Sequence, residues 1–455
     1  MSARGSIGWL AWWLMWVISA SAADRAYWVW QRSEALTEAE SAELHHQGVS
    51  TLYWHTATVN ASGSAFAHAP EPAKLAPGFR VVPVVRVEMT KLPPRDQFLK
   101  LARFAADGAL QLDFDLPDRL LGDYAEALAD LRQTVPHLGI TALAHWPRVK
   151  EFPALARSVE ELCPMFYDLQ SDPTGVSAEA PPPPLLDPAQ VAEYLAAWKS
   201  CPTRWRAGLP TFARLTIFDE TGLSRGQIPA WEWDEVAFHA HLRTLAPTKL
   251  GVTLLRADAP LTVAHRTLRE SEILAVRTTD AAVLAACVQA VENSGAAGLV
   301  LFRLPARESD ATSSLKTLGA ASARDATAPA LPKLVLKRVG DTLLLQNEGA
   351  ADLPPRLSGE RHDRDRGYAI EIEAPAAVFR EAEAGEFFRV GAHVGGDEKP
   401  VRASIQSATR LTLWFSHLDA GATLHSGFFQ LAPAAAPGTL RWRLAGGEWQ
   451  PLHIP

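Results

Sequence analysis

The residues with the most chemistry to offer stand in one short run, Leu110-Gln-Leu-Asp-Phe-Asp-Leu-Pro117. Strand alternation puts Leu110, Leu112, Phe114 and Leu116 on one face and Gln111, Asp113 and Asp115 on the other. Two carboxylates on one strand face lie roughly 6.5 to 7 Å apart. Enclosed together, each raises the other's pKa unless a cation or hydrogen-bond donors intervene. Such a pair suits acid–base or electrostatic catalysis. The alternative is that Asp115 caps a helix starting near Pro117-Asp118 while Asp113 is a buried, satisfied acid. Along Val81–Glu88 the pattern repeats, with Val82, Val84, Arg86 and Glu88 on one face. If the two runs are neighbouring strands, Glu88 ends beside the Asp pair and Arg86 neutralises one of its members, either in a catalytic cluster or as a structural ion pair. A third run ends Met165-Phe-Tyr167-Asp168.

Positioning these groups requires a repeating frame. From residue 24 to about 310, short apolar runs alternate with helical patterns. The runs are Tyr27–Trp30, Thr51–His55, Val81–Glu88, Leu110–Asp115, Gly139–Ala144, Leu162–Asp168, Arg206–Thr211 and Leu299–Leu304. Helical patterns fall at Thr37–His46, Arg95–Ala106, Arg119–Thr134, Pro188–Trp198 and Thr279–Asn293. Eight such units predict a (β/α)8 TIM-like barrel, whose chemistry sits at the C-terminal ends of the strands. Lys249–Leu255 and Ile273–Arg277 exceed the count and are placed in an elaboration before the last strand. Residues 311–332, rich in Ala, Ser and Thr, read as a linker. Residues 333–455 change to period two and predict a small all-β, Ig-like sandwich opening with a hairpin at Val339-Gly340-Asp341.

Aromatic and imidazole groups gather at the same rim: Trp28 and Trp30 on the first strand, Trp54 and His55 on the second, His145 and Trp146 on the fifth. Aromatic faces against apolar sugar faces form subsites, whereas the plainer reading is barrel packing. Trp30, Trp54, His55, His145, Trp146, Arg86 and Asp168 are therefore candidate substrate contacts. Trp231, Trp233 and Asp219-Glu220 lie after the seventh strand, in either a lid or a solvated excursion. The mixed-sign Arg361–Arg366 run reads as a solvated loop.

The Asp113-x-Asp115 pair followed by Met165-x-Tyr167-Asp168 resembles the family-18 chitinase pattern. That resemblance implies substrate-assisted hydrolysis, in which the sugar's own acetamido group is the nucleophile. It implies that Asp115 orients the acetamido group, Asp113 supports Asp115, and Tyr167 and Asp168 contact the reacting sugar. The sequence departs from the pattern where the family's acid, a Glu, is replaced by Pro117, and Glu88 is the nearest substitute. A broader resemblance, carried by Tyr27-Trp-Val-Trp30, Leu112-Asp-Phe-Asp-Leu-Pro117, Gly139-Ile-Thr-Ala-Leu-Ala-His-Trp146 and Gly208-Leu-Pro-Thr-Phe212, is to a family of exported bacterial barrel proteins without an assigned function. It implies a sugar-hydrolase-like barrel.

Residues 1–22 read as a signal peptide. Arg4 precedes an apolar run, Ile7–Ile18, too short for a comfortable membrane span, and Ala20-Ser21-Ala22 is a cleavage-like site. The expected location is periplasmic or secreted, with no stable membrane span after cleavage. Four of the 15 Trp, at positions 9, 12, 13 and 16, belong to this segment. Of three Cys, Cys163 and Cys201 are placed to allow a bridge, while Cys287 reads as a buried thiol. Lys plus Arg number 44 against 51 Asp plus Glu, a net charge of −7, which argues against nucleic-acid binding. No Gly-x-Ser-x-Gly, His-Glu-x-x-His or Gly-Lys-Thr motif occurs, and neither a metal set nor a cofactor is expected. Two readings follow: a glycoside hydrolase acting on a bacterial polysaccharide, with Glu88, Asp113, Asp115 and Tyr167 as its catalytic set, or a non-catalytic carbohydrate-binding barrel that lost its acid at Pro117. The sequence leaves the oligomeric state open.

Overall fold

The structure is a computed structural model that describes residues 24–69, 71–305, 313–323, 330–358, 366–375, 377–393, 405, 408–432 and 440–452. The signal-peptide reading, residues 361–365 of the charged run and parts of the linker lie outside the described residues.

All eight expected barrel strands form. They are β1 (Asp24–Val29), β2 (Thr51–Val59), β3 (Arg80–Val87), β4 (Ala109–Asp113), β5 (His137–Leu143), β6 (Glu161–Met165), β7 (Arg204–Pro210) and β8 (Gly298–Phe302). Each pairs in parallel with its neighbours, and β1 pairs with both β8 and β2, which closes the barrel. Helices Glu38–His46, Leu121–Arg132, Pro188–Trp198 and Ala281–Glu292 supply crossovers. Thr37 opens the first with a reciprocal capping box to Glu40. In the second, Leu121, Tyr124, Ala125, Leu128 and Leu131 form the buried stripe that helical periodicity requires.

Two layers of side chains result from strand alternation. Trp28, Tyr53, Val82, Val84, Cys163 and Val300 fill the barrel, while Leu52, Trp54, Leu110, Leu112 and Phe114 pack outward onto the helices. Inside, Trp28 Nε1 donates to Gln111 Oε1 at 2.6 Å, and Gln111 Nε2 donates to Cys163 Sγ at 3.2 Å. Gly208 is dictated by this packing, since a Cβ there would lie 2.9 Å from the Trp28 ring. Cys163 and Cys201 are both free thiols, so the bridge does not form; Cys163 points into the barrel, away from the strand-end position that Cys201 occupies.

Between β7 and β8 the chain builds a second, antiparallel sheet of five strands. Its members are Arg214–Phe218, Ser224–Ile228, Leu242–Lys249, Val252–Ala257 and Ile273–Arg277, so the two surplus runs do belong to an elaboration. Trp231 and Trp233 are core residues of this insertion, beside Leu215, Ile217 and Val236. The stretch read as a linker contains the helix Leu315–Ala321, whose Leu318 is buried in the barrel's outer core. After it come further antiparallel sheets with a shared apolar core, starting with the expected hairpin Leu334–Val339 and Thr342–Asn347 around Gly340 at φ 59°. Among the described residues no helix is long and apolar enough to cross a membrane.

Candidate active site

Pairing of β3 with β4 sets Arg86 directly opposite Asp113. Arg86 Nη1 donates to Asp113 Oδ2 and to Asp115 Oδ2, both at 2.9 Å. A single nitrogen thus holds the two carboxylates within two hydrogen-bond lengths of each other. From β5, Thr141 Oγ1 donates to the other oxygen of Asp113 at 2.9 Å. Asp113 is buried, while Asp115 keeps 38% of its side chain exposed. Burial pushes the Asp113 carboxyl up, Arg86 pulls it back, and Asp115 pushes it up again, to about 6. Burial alone would lower the Arg86 pKa, but the two carboxylates outweigh it and hold the guanidinium firmly charged. The turn after Pro117 has no side-chain cap, so Asp115 is not a capping residue.

A cavity of about 600 Å3 opens here at the C-terminal mouth of the barrel. Glu88, Asp113, Asp115 and Tyr167 all line it, as do Arg86, Trp30, His55, His145 and Asp168. Glu88, one residue past β3, is exposed and is held by its backbone N–H to Val59 O at 2.8 Å. Tyr167 follows β6. Burial, with the nearby Asp113 and Asp115 charges, raises its phenol well above the ordinary value, so it stays a hydrogen-bond donor. Asp168, at φ 53°, forms a two-pronged ion pair with Arg214 from the first strand of the insertion. Its carboxylate is thereby engaged, and the inserted sheet is fastened to the rim.

The opposite wall is aromatic and imidazole. Trp30 stacks on His55 with centroids 4.0 Å apart and planes at 9°. Thr58 Oγ1 lies 3.0 Å from Nε2 of both His55 and His68. Burial first, then His68 and Arg86, lower His55 to a pKa of about 4, which keeps it neutral at neutral pH. His145 Nε2 lies 2.8 Å from Asp118 Oδ1 at the rim.

Two expected contacts are corrected. Trp54 faces outward from β2 and donates from Nε1 to Arg32 O at 3.0 Å. Trp146 opens a short turn and is fully buried against the helices. Neither reaches the cavity, because strand parity and the turn direct both rings into the outer core. Arg86 was expected to neutralise one carboxylate and binds both. The Pro117 position does not line the cavity. The sequence reading passed over Phe302, Thr58, Thr141 and Tyr194. Phe302 ends β8, stacks on Tyr167 at 5.8 Å and meets Trp30 edge-on at 5.5 Å. Its place as the last residue of a barrel strand was the available signal. Tyr194 arrives from a helix, which no strand-end rule finds. Among the described residues no group of three or more His, Cys, Asp and Glu is arranged to hold a metal.

No family model matches this sequence. No curated protein matches it either. Among solved structures, it is similar to a chitinase from Chromobacterium violaceum, with TM-score 0.43 and 14% identity over 66% of this chain and 98% of that one. A spore cortex-lytic enzyme of Bacillus megaterium gives TM-score 0.43 and 13% identity over 62% and 70%. A class V chitinase from Nicotiana tobaccum gives 0.42 and 14% over 66% and 99%.

Proposed function

We propose that this protein is an exported glycoside hydrolase acting on a bacterial polysaccharide that contains N-acetylated amino sugars. The observation that carries the reading is the pair of carboxylates on one Arg86 nitrogen, beside Tyr167 and Glu88, in a single cavity at the barrel mouth. Asp115, the exposed member, accepts the acetamido N–H of the bound sugar. The acetamido carbonyl oxygen then attacks the anomeric carbon as the glycosidic bond breaks, and the departing oxygen takes a proton from Glu88. Tyr167 donates to the acetamido oxygen and holds it in line. Asp113 supports Asp115 and takes up part of the positive charge of the bicyclic intermediate. Water, deprotonated by Glu88, reopens that intermediate at the anomeric carbon. Trp30, His55, Phe302 and His145 form the sugar-contacting walls.

In this reading residues 1–22 are the export signal, 24–310 the catalytic barrel, 311–332 the connection and 333–455 an Ig-like sandwich, in a periplasmic or secreted protein. The test is release of reducing ends from amino-sugar polymers, which Asp115→Asn and Glu88→Gln each abolish without unfolding the protein. Full activity in both variants overturns the reading.

Pro117 favours a second one. Proline cannot donate a proton, and if Glu88 does not reach the leaving oxygen the cavity binds carbohydrate without cutting it. Saturable binding of the same polymers without product release would establish that alternative.

A further inference from the structure

A second cavity, of about 560 Å3, lies behind the aromatic wall of the first. Phe212 lines it, and the same ring meets Tyr167 and Phe302 of the first cavity edge-on, at 5.8 and 5.7 Å between centroids. Its walls come from the loop after β7, the inserted sheet, the helices Ala281–Glu292 and Leu315–Ala321, and the C-terminal module.

The charges in this cavity are one-sided. Asp280, Asp352 and Asp419 line it, and among the described residues no Lys or Arg does. Two of the three acids have work already. Asp280 accepts the N–H groups of Ala282 and Val283, and Asp352 those of Ser314 and Ala420. Asp419 has no hydrogen bond or ion pair from its carboxyl among the described residues. Burial, and then Asp352, push it up to about 7. His417 lines the cavity too, but burial lowers its pKa, so it is no counter-charge at neutral pH, and its Nδ1 lies 2.8 Å from Ser416 Oγ. Thr279 Oγ1 on the same wall is buried and has no partner among the described residues. Asp419 is half-buried, and an acid so enclosed without a partner carries part of a desolvation cost that a bound cation recovers. The remaining surface, with the Trp233 and Phe212 rings and several threonines, suits a ligand with an apolar face and hydroxyl groups.

We propose that this second cavity binds an amino sugar bearing a free ammonium group, with the ammonium on Asp419 and the sugar ring against Trp233 and Phe212. The sugar assignment rests on the reading of the first cavity, one ring's thickness away. A partly de-N-acetylated chain then offers an acetylated residue to Asp115 and a cationic one to Asp419. An acetylated residue carries no charge for Asp419 to meet.

The experiment is calorimetric titration of the intact protein with a glucosamine trimer and, separately, an N-acetylglucosamine trimer. The glucosamine trimer is expected to bind wild type and Asp115→Asn alike, and at least tenfold more weakly to Asp419→Asn. Affinity for the acetylated trimer is expected to be unchanged in Asp419→Asn. Should that variant fail to fold, Thr279→Val is expected to bind the glucosamine trimer more weakly, and the fluorescence change that this trimer causes in wild type, and the acetylated one does not, is expected to be lost in Trp233→Phe; unchanged affinity and an unchanged signal in these variants overturn the proposal. Equal affinity of wild type and Asp419→Asn for the glucosamine trimer, or loss of binding in Asp115→Asn alone, overturns the proposal. Binding that depends on Asp419, with acetylated polymers left neither bound nor cut, overturns the reading of the first cavity instead.

Discussion

Arg86 and Asp113 face each other across adjacent barrel strands and are joined at 2.9 Å, with Asp115 on the same guanidinium nitrogen. The arginine is therefore the cation that both carboxylates share. Replacing it by Met leaves a buried carboxylate without its cation. Such losses cost about 3 to 5 kcal/mol for fully buried pairs, and partial exposure of Arg86 reduces this to about 2 kcal/mol. Urea unfolding at pH 7 measures the loss, which shrinks at pH 5, where Asp113 takes up a proton.

The raised Asp113 pKa also fixes a sign for pH dependence. Its carboxyl titrates higher in the folded chain than when unfolded, so its contribution to stability is fully present below the ordinary aspartate range. That contribution is lost as pH rises through about 6. Wild type loses on the order of 2 to 3 kcal/mol from this group over that window. In Asp113→Asn the corresponding slope disappears. Unfolding curves collected from pH 4 to 7 decide this, and an unchanged slope in the variant rejects it.

Trp30 and Trp54 sit near the same rim and have opposite roles. Trp30→Ala is expected to weaken polysaccharide binding at least tenfold with little change in melting temperature. Trp54→Ala removes a fully buried ring and is expected to cost about 3 to 5 kcal/mol. Paired measurements of melting and binding separate them.

Gly208→Ala drives a methyl group against Trp28 at 2.9 Å and against the Pro164 carbonyl at 3.1 Å. The expected cost is about 2 kcal/mol. Thermal melts test it, and adding Trp28→Phe, which clears part of the ring, is expected to recover some of the loss.

Arg214→Gln unfastens the inserted sheet from the rim at Asp168. Hydrogen exchange is expected to accelerate in the segment after β6 and along Arg214–Phe218, with the barrel strands unaffected. Protection unchanged in both segments would show that Arg277 and Asp172, paired at 2.5 Å, suffice to hold it.

The frame was legible because every barrel strand is an apolar run bounded by a helical period, and the carboxylate pair because Asp113 and Asp115 break the apolar rule on an inward face. Trp54 was misplaced for want of one parity step: Tyr53 points in, so Trp54 points out. Thr141 and Phe302 were invisible as chemistry, since a lone Thr or Phe in a strand carries no signal until neighbouring strands bring an acid or a tyrosine beside it. The helix Leu315–Ala321 was hidden in a small-residue stretch, and its formation rests on Ser314 as cap and on packing of Leu318 against the barrel.

The position of the insertion bears on how the barrel comes to exist. The strand that seals it, β8, follows the entire inserted sheet, while its partners β1 and β7 lie on either side of the seam. Without Gly298–Phe302, the facing edges of β1 and β7 would each lack a partner strand. Closure then joins the two ends of the barrel sequence, among the contacts of longest loop and slowest formation. An edge that waits on so distant a partner is one to which a strand of another copy can add.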